Sequence, residues 1–279
     1  MFQPAIPLSG YSGWKFLQST YDTQLETYSN SAQVSNDREY LLEKLSEPME
    51  LEDFLDDRRL MRIGLTAFDL GGEEWKRGYI DKVLTEAADE DSTFLARLDN
   101  VAYTSFAAVF KPNEDGQIDL SEDVLNDVAD RYETASFKVA VGEVDDNMRL
   151  SLNYETQISK LVKEDSSDET ILYRLLGDEP VFKVLQSALN LPSEFTSMDI
   201  EQQAKLLKER LSSMLGISDL QDLTNSERID RVLERFHVME SINNGTVDSS
   251  TPGASALTLL GSMGSSASEN LFLSTLYGY

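Results

Sequence analysis

Asp57 to Leu70 reads D-R-R-L-M-R-I-G-L-T-A-F-D-L, and 121 residues further on Asp178 to Leu191 reads D-E-P-V-F-K-V-L-Q-S-A-L-N-L. At that offset Leu60 falls on Val181, Met61 on Phe182, Arg62 on Lys183, Ile63 on Val184, Ala67 on Ala188, Phe68 on Leu189 and Leu70 on Leu191. In both stretches the apolar residues recur at steps of three and four, the spacing of a helix face turned into a core. The pair predicts a duplicated helical unit, with Leu60, Ile63 and Phe68 in the core of the first copy.

Helical patterns continue on either side. Asp37 is placed to cap a helix carrying Tyr40, Leu41 and Leu45, which Pro48 ends, and Gly71-Gly72 is placed to stop the Leu60 helix. Tyr79, Ile80, Val83 and Leu84 give a further helix, then Phe94, Leu95 and Leu98, then Val101 to Phe110. Ser121 opens a long helix whose expected buried face is Val124, Val128, Tyr132, Ala135 and Val139. Phe137, Val139 and Val141, followed by Met148, Leu150 and Leu152, alternate as a β-hairpin also would. Helical spacing begins well before this stretch and resumes at Ile158, Leu161 and Val162, so two helices meeting between Gly142 and Asn147 are preferred.

The second unit runs through Ile171, Leu172, Leu175 and Leu176 into the repeated helix. Leu206, Leu207, Leu211 and Leu215, then Ile229, Val232, Leu233 and Phe236, complete it. The expected fold class is all-α and multihelical: two tandem related helical units, an N-terminal helix and a low-complexity C-terminal tail. The expected organisation is an N-terminal segment and docking helix over 1–35, helical units over 36–142 and 143–240, and a flexible tail over 241–279.

Composition narrows the partners. The chain of 279 residues is 41% hydrophobic, enough for real cores. It carries 24 Lys and Arg against 50 Asp and Glu, a formal net charge of −26. Such a surface repels nucleic acid and anionic lipid and favours basic partners, although adaptation to salty surroundings would give the same balance. With no cysteine there is neither disulfide nor thiolate chemistry. No apolar run approaches the ~20 residues of a membrane span. The N-terminus, with Pro4, Pro7 and Lys15, does not read as a secretory signal.

The two ends differ from the middle. Residues 1 to 21 hold no acidic residue, and Trp14, Leu17, Tyr21, Leu25 and Tyr28 form one stripe of an amphipathic helix from about Ser12 to Ser29. That stripe suits a helix docked on the domain, or one that recognises a partner or export machinery. From Ser241 onward the charged residues are Asp248 and Glu269, among Gly, Pro and Ser of linker chemistry. Leu271, Phe272, Leu276 and Tyr277 interrupt it, and a solvated linker has no need of them. Trp14, Tyr21, Leu271, Phe272, Leu276 and Tyr277 are therefore the candidate partner-binding residues.

Catalytic, cofactor and metal residues are not expected. Lys111 to Glu122 reads K-P-N-E-D-G-Q-I-D-L-S-E and places Asn113, Asp115, Gly116, Ile118 and Glu122 in the slots of a calcium-binding helix–loop–helix. Lys111, however, occupies the first ligand slot and sets an ammonium against the cation, so the stretch reads as an acidic connector. His237 is the single histidine, too few for a multi-histidine metal site. Near a helix end it reads as a cation capping exposed carbonyls. Nucleotide-binding and nucleophile-elbow motifs are absent from the sequence.

Three stretches resemble a known family when taken together: I-P-L-S-G-Y-S-G-W-K-F-L at Ile6–Leu17, F-K-V-A-V-G-E-V-D-D-N-M-R-L-S-L at Phe137–Leu152, and the helix at Leu60–Leu70. They are similar to an uncharacterised all-helical family of alphaproteobacterial proteins whose genes often lie among flagellar genes. The likeness spans roughly residues 1–238 and carries no catalytic residues with it. It implies a non-enzymatic, flagellum-associated protein, structural or assisting assembly and export, that works through a protein partner such as a flagellar component. The alternative is a cytoplasmic binding or regulatory protein with no flagellar role.

Overall fold

The computed structural model describes residues 3–89, 91–98, 100–164 and 166–244. Within them the chain is all-α and multihelical. The helices are α1 (Gly10–Ser29), α2 (Ala32–Lys44), α3 (Leu51–Asp56), α4 (Arg58–Ala67), α5 (Arg77–Ala88), α6 (Phe94–Leu98), α7 (Val101–Phe110) and α8 (Glu122–Val144). They continue as α9 (Asp146–Leu161), α10 (Asp168–Gly177), α11 (Glu179–Ala188), α12 (Ile200–Leu215) and α13 (Ser226–Asn243). Extended pairing among the described residues is one antiparallel contact, Met49–Glu50 with Gln117–Ile118. The stretch around residues 137–152 is helical on both sides of Asp145, whose carboxylate accepts from Asn147 N at 2.9 Å and starts α9.

Two compact units divide the chain. One comprises the described residues of Met1–Ala5 and Thr20–Val144, the other those of Ile6–Ser19 and Asp145–Tyr279. The continuous helix α1 thus contributes its first half to the second unit and the rest to the first.

The first unit is built around α4, which packs on α8, α3 and α2. Leu60, Met61, Ile63, Leu65 and Ala67 are buried, and so is Phe68 directly after them. Gly64 leaves room for rings: a Cβ there would lie 3.3 Å from Phe110 and 3.4 Å from Phe54. Phe54 stacks on Phe110 at 5.1 Å, and Phe68 meets Phe106 edge-on at 5.9 Å. On α8 the buried face is Leu125, Val128, Ala129, Tyr132, Phe137 and Val141. Val139, expected there, is 53% exposed, because the face that meets α4 and α2 runs one position away from it.

In the second unit α11 packs on α13 and α9 and buries Val181, Val184, Leu185 and Ala188. Its local construction matches that of α4. Asp57 accepts from Arg59 N and Leu60 N, and Asp178 accepts from Val181 N. Beyond the helix end, Leu70 N donates to Leu65 O and Leu191 N to Gln186 O, the six-residue loop of a Schellman stop. Asp69 and Asn190 supply the left-handed residue of that stop. The expected stop at Gly71-Gly72 is thus made two residues earlier, and Gly72 only serves the following turn at φ 89.

Candidate functional site

The motif-bearing N-terminal segment is held by the second unit through close packing. Gly10 starts α1 with φ +62, and a Cβ on Gly13 would stand 2.0 Å from the carbonyl oxygen of Leu8. Both glycines are therefore required to fold the chain back on itself before the helix. One turn on, Trp14 and Leu17 are wholly buried. The Trp14 indole stacks on the His237 ring at 5.9 Å and 24°. Lys15 reaches Asp230 at 2.9 Å, and Gln18 donates to Glu155 at 2.7 Å. The Lys15–Asp230 pair is half exposed and adds at most about 1 kcal/mol. The buried aromatic is the main anchor.

Tyr21 belongs to the first unit, where it meets Phe137 edge-on at 5.4 Å, and Tyr28 packs on the same ring at 5.5 Å. Gln24 clamps the chain start by accepting from Ala5 N at 2.7 Å and donating to Ala5 O at 3.1 Å. Trp14 is enclosed by its own unit, and Tyr21 is half-buried. Leu271, Phe272, Leu276 and Tyr277 lie outside the described residues.

His237 does not cap a helix end. It sits six residues inside α13 and is 1% exposed, against Trp14 and Phe236. Burial pushes its pKa down to about 4, so the ring is neutral at pH 7. Its Nε2 lies 2.9 Å from Ser151 Oγ, and that hydroxyl donates to Asn147 O at 2.8 Å. A hydroxyl has one proton, so both contacts are satisfied when Nε2 carries the hydrogen and donates to Ser151. Ser151 is itself wholly buried. This serine–histidine contact ties α9 to α13 and faces protein on every side.

Asp37 is likewise not a cap. The helix α2 already begins at Ala32, which leaves Asp37 in its middle, 3% exposed. Its Oδ1 accepts from Arg59 Nε at 2.7 Å; its Oδ2 accepts from Arg62 Nη2 at 2.8 Å and from the Tyr132 hydroxyl at 2.5 Å. Burial opposes the charge, but the Tyr132, Arg62 and Arg59 donors outweigh it and hold the carboxyl below its ordinary range. Tyr40 stacks under Arg59 at 4.3 Å and donates to the helix cap Asp57 at 2.6 Å. The cluster locks α2, α4 and α8 together. Its signal in the sequence is the pair Arg59 and Arg62, one helical turn apart at the start of a core helix, where two cations need a buried anion.

The loop after α7 turns on Gly116, at φ 81. The oxygen of Asn113, third in the calcium-like series, accepts from Asp115 N and Gln117 N, both at 3.0 Å, and so faces the loop's own amides. Among the described residues no three His, Asp or Glu side chains converge in a metal-holding group. No helix among them is long and apolar enough to cross a membrane. Two large apolar side chains stand out on the first unit, Trp75 at 78% exposure and Val101 at 70%. Neither is among the candidate residues read from the sequence, since a lone exposed Trp leaves no periodic trace.

No curated protein matches the chain. A protein from Agrobacterium tumefaciens solved by X-ray crystallography shares the fold, with a TM-score of 0.65 at 22% identity. That likeness covers 87% of this chain and 100% of the other. A family model described as a protein of unknown function (DUF1217) matches residues 67–229, more than half of the chain and reaching from the end of α4 into α13. The chain belongs to that DUF1217 family.

Proposed function

We propose that this is a non-enzymatic, flagellum-associated protein of the alphaproteobacterial type, structural or assisting assembly and export through protein–protein contacts. The observation that carries the contact-making role is the charge-poor stretch from Ser241, which keeps Leu271, Phe272, Leu276 and Tyr277 in a chain of net charge −26. Apolar side chains in a charge-poor stretch need cover, from the chain's own body or from a partner. The flagellar setting is supported by the likeness carried by Ile6–Leu17, Phe137–Leu152 and Leu60–Leu70. The matching caps and stops of α4 and α11 support reading the two units as copies of one ancestral helical unit.

The deciding experiment is quantitative mass spectrometry of purified hook–basal bodies against soluble cytosol. Enrichment with the basal bodies is the expected result. Confinement to the cytosol would favour the runner-up, a cytoplasmic binding or regulatory protein.

A further inference from the structure

We propose that His237 is an acid-operated release for the N-terminal segment: a proton on its ring, with no carboxylate among the described residues at hand to hold it, expels Trp14 and frees Ile6–Ser19 from the rest of the second unit. The geometry carries the argument. His237 is 1% exposed, its ring is covered by Trp14, and its Nε2 is committed to Ser151. The added proton therefore goes to Nδ1 and puts a full charge into an apolar stack.

The polar groups on the surrounding elements serve other partners. On α1, Lys15 is taken by Asp230, with Tyr11 beside it. On α9, Glu155 holds Gln18, and the hydroxyl of Tyr154 is buried without a protein partner. On α11, Ser187 donates to Glu240. On α13 itself, Arg235 donates to Ala188 O, and Glu234 lies toward Tyr11. The ordinary histidine value of 6.5 is depressed to about 4 by burial alone.

The segment is the element that gives way because its anchor is imperfect: Trp14 Nε1 is buried with no hydrogen-bond partner among the described residues.

A Trp75→Phe variant makes Trp14 the sole indole, since the chain has two tryptophans, and the single histidine can be followed by NMR without assignment. Trp14 emission and acrylamide quenching are read from pH 7 to pH 4 alongside the imidazole shift and far-UV circular dichroism. The expected result is a red shift with rising quenching below pH 6, tracking the imidazole while helicity holds. The equilibrium for opening should rise by roughly 100-fold or more over that range, as a pKa difference of this size requires. In the same background His237→Gln should abolish the transition, with Trp14 either docked or released at every pH. A transition that persists unchanged in His237→Gln assigns the effect to carboxylates and overturns the proposal. So does an imidazole that titrates near 6.5 while Trp14 stays buried.

Discussion

Asp69 and Asn190 stand 121 residues apart, and they are the two non-glycine residues with positive φ among the described residues, at 61° and 47°. Each follows a ten-residue helix that begins after a capping aspartate and closes through the same pair of backbone bonds. A left-handed conformation costs an ordinary residue roughly 1–2 kcal/mol, less for Asn and Asp, so it persists where the chain must reverse at that point. The reversal carries Leu70 and Leu191 back into their respective cores.

The first prediction follows from that shared stop. Asn190→Gly should keep or raise thermal stability, whereas Asn190→Ala should lower it by about 1 kcal/mol. The same order is expected at Asp69. Equal melting temperatures for the Ala and Gly variants would show that φ is not what those positions demand.

A second prediction concerns charge. Asp37→Asn leaves Arg59 and Arg62 without their anion, and because both guanidinium groups are about two-fifths exposed, solvent softens the loss to about 1–3 kcal/mol. The native carboxyl is depressed, so its contribution is present above the unfolded value near 3.8 and is lost as pH falls below it. Urea denaturation should therefore show a gap between parent and variant that is constant from pH 7 to 5 and closes below about pH 4. His237 acts in a different window, because the stability tied to its neutral ring declines from about pH 6.5 down to its depressed value of about 4.

The third prediction sets two opposed effects against each other. In an unobstructed helix Gly13→Ala would gain about 1 kcal/mol of helix propensity. Here the new Cβ would stand 2.0 Å from Leu8 O and 3.0 Å from Met148 Cε, a backbone clash that side-chain rotation cannot relieve. Loss of stability by about 1–3 kcal/mol is expected, with Trp14 more accessible to acrylamide. A more stable variant would mean that the chain before α1 moves aside freely.

The fold was legible where burial has a period. Leu60, Ile63, Phe68, Val181 and Val184 declared helix faces, and the helical spacing on both sides of Asp145 argued rightly against a hairpin. Polar residues mislead for the complementary reason. Asp37 and His237 read as helix-end groups because local sequence shows capping chemistry but not partners brought together by folding. Tyr132 lies 95 residues from Asp37, and Ser151 lies 86 from His237. The roles of Gly10 and Gly13 were hidden for a further reason: a close backbone approach leaves no trace in composition.

The last prediction tests the functional proposal at the tail. Residues 241–279 carry two charged side chains yet keep Leu271, Phe272, Leu276 and Tyr277. Among the described residues the cores of both units are built from Trp14 and Leu17 through Phe236. Deleting 245–279 should then shift the melting temperature by less than about 2 °C, because no core side chain among the described residues is lost. Motility, or recovery with the basal body, should nevertheless fall. Replacing Phe272 and Tyr277 with Ser in the undeleted chain should give the same loss if those side chains make the contact, since aromatics removed from a partner interface cost binding and not folding. A deletion that lowers the melting temperature by many degrees, with motility declining only in proportion, would make the tail part of the fold and remove the argument for a partner there.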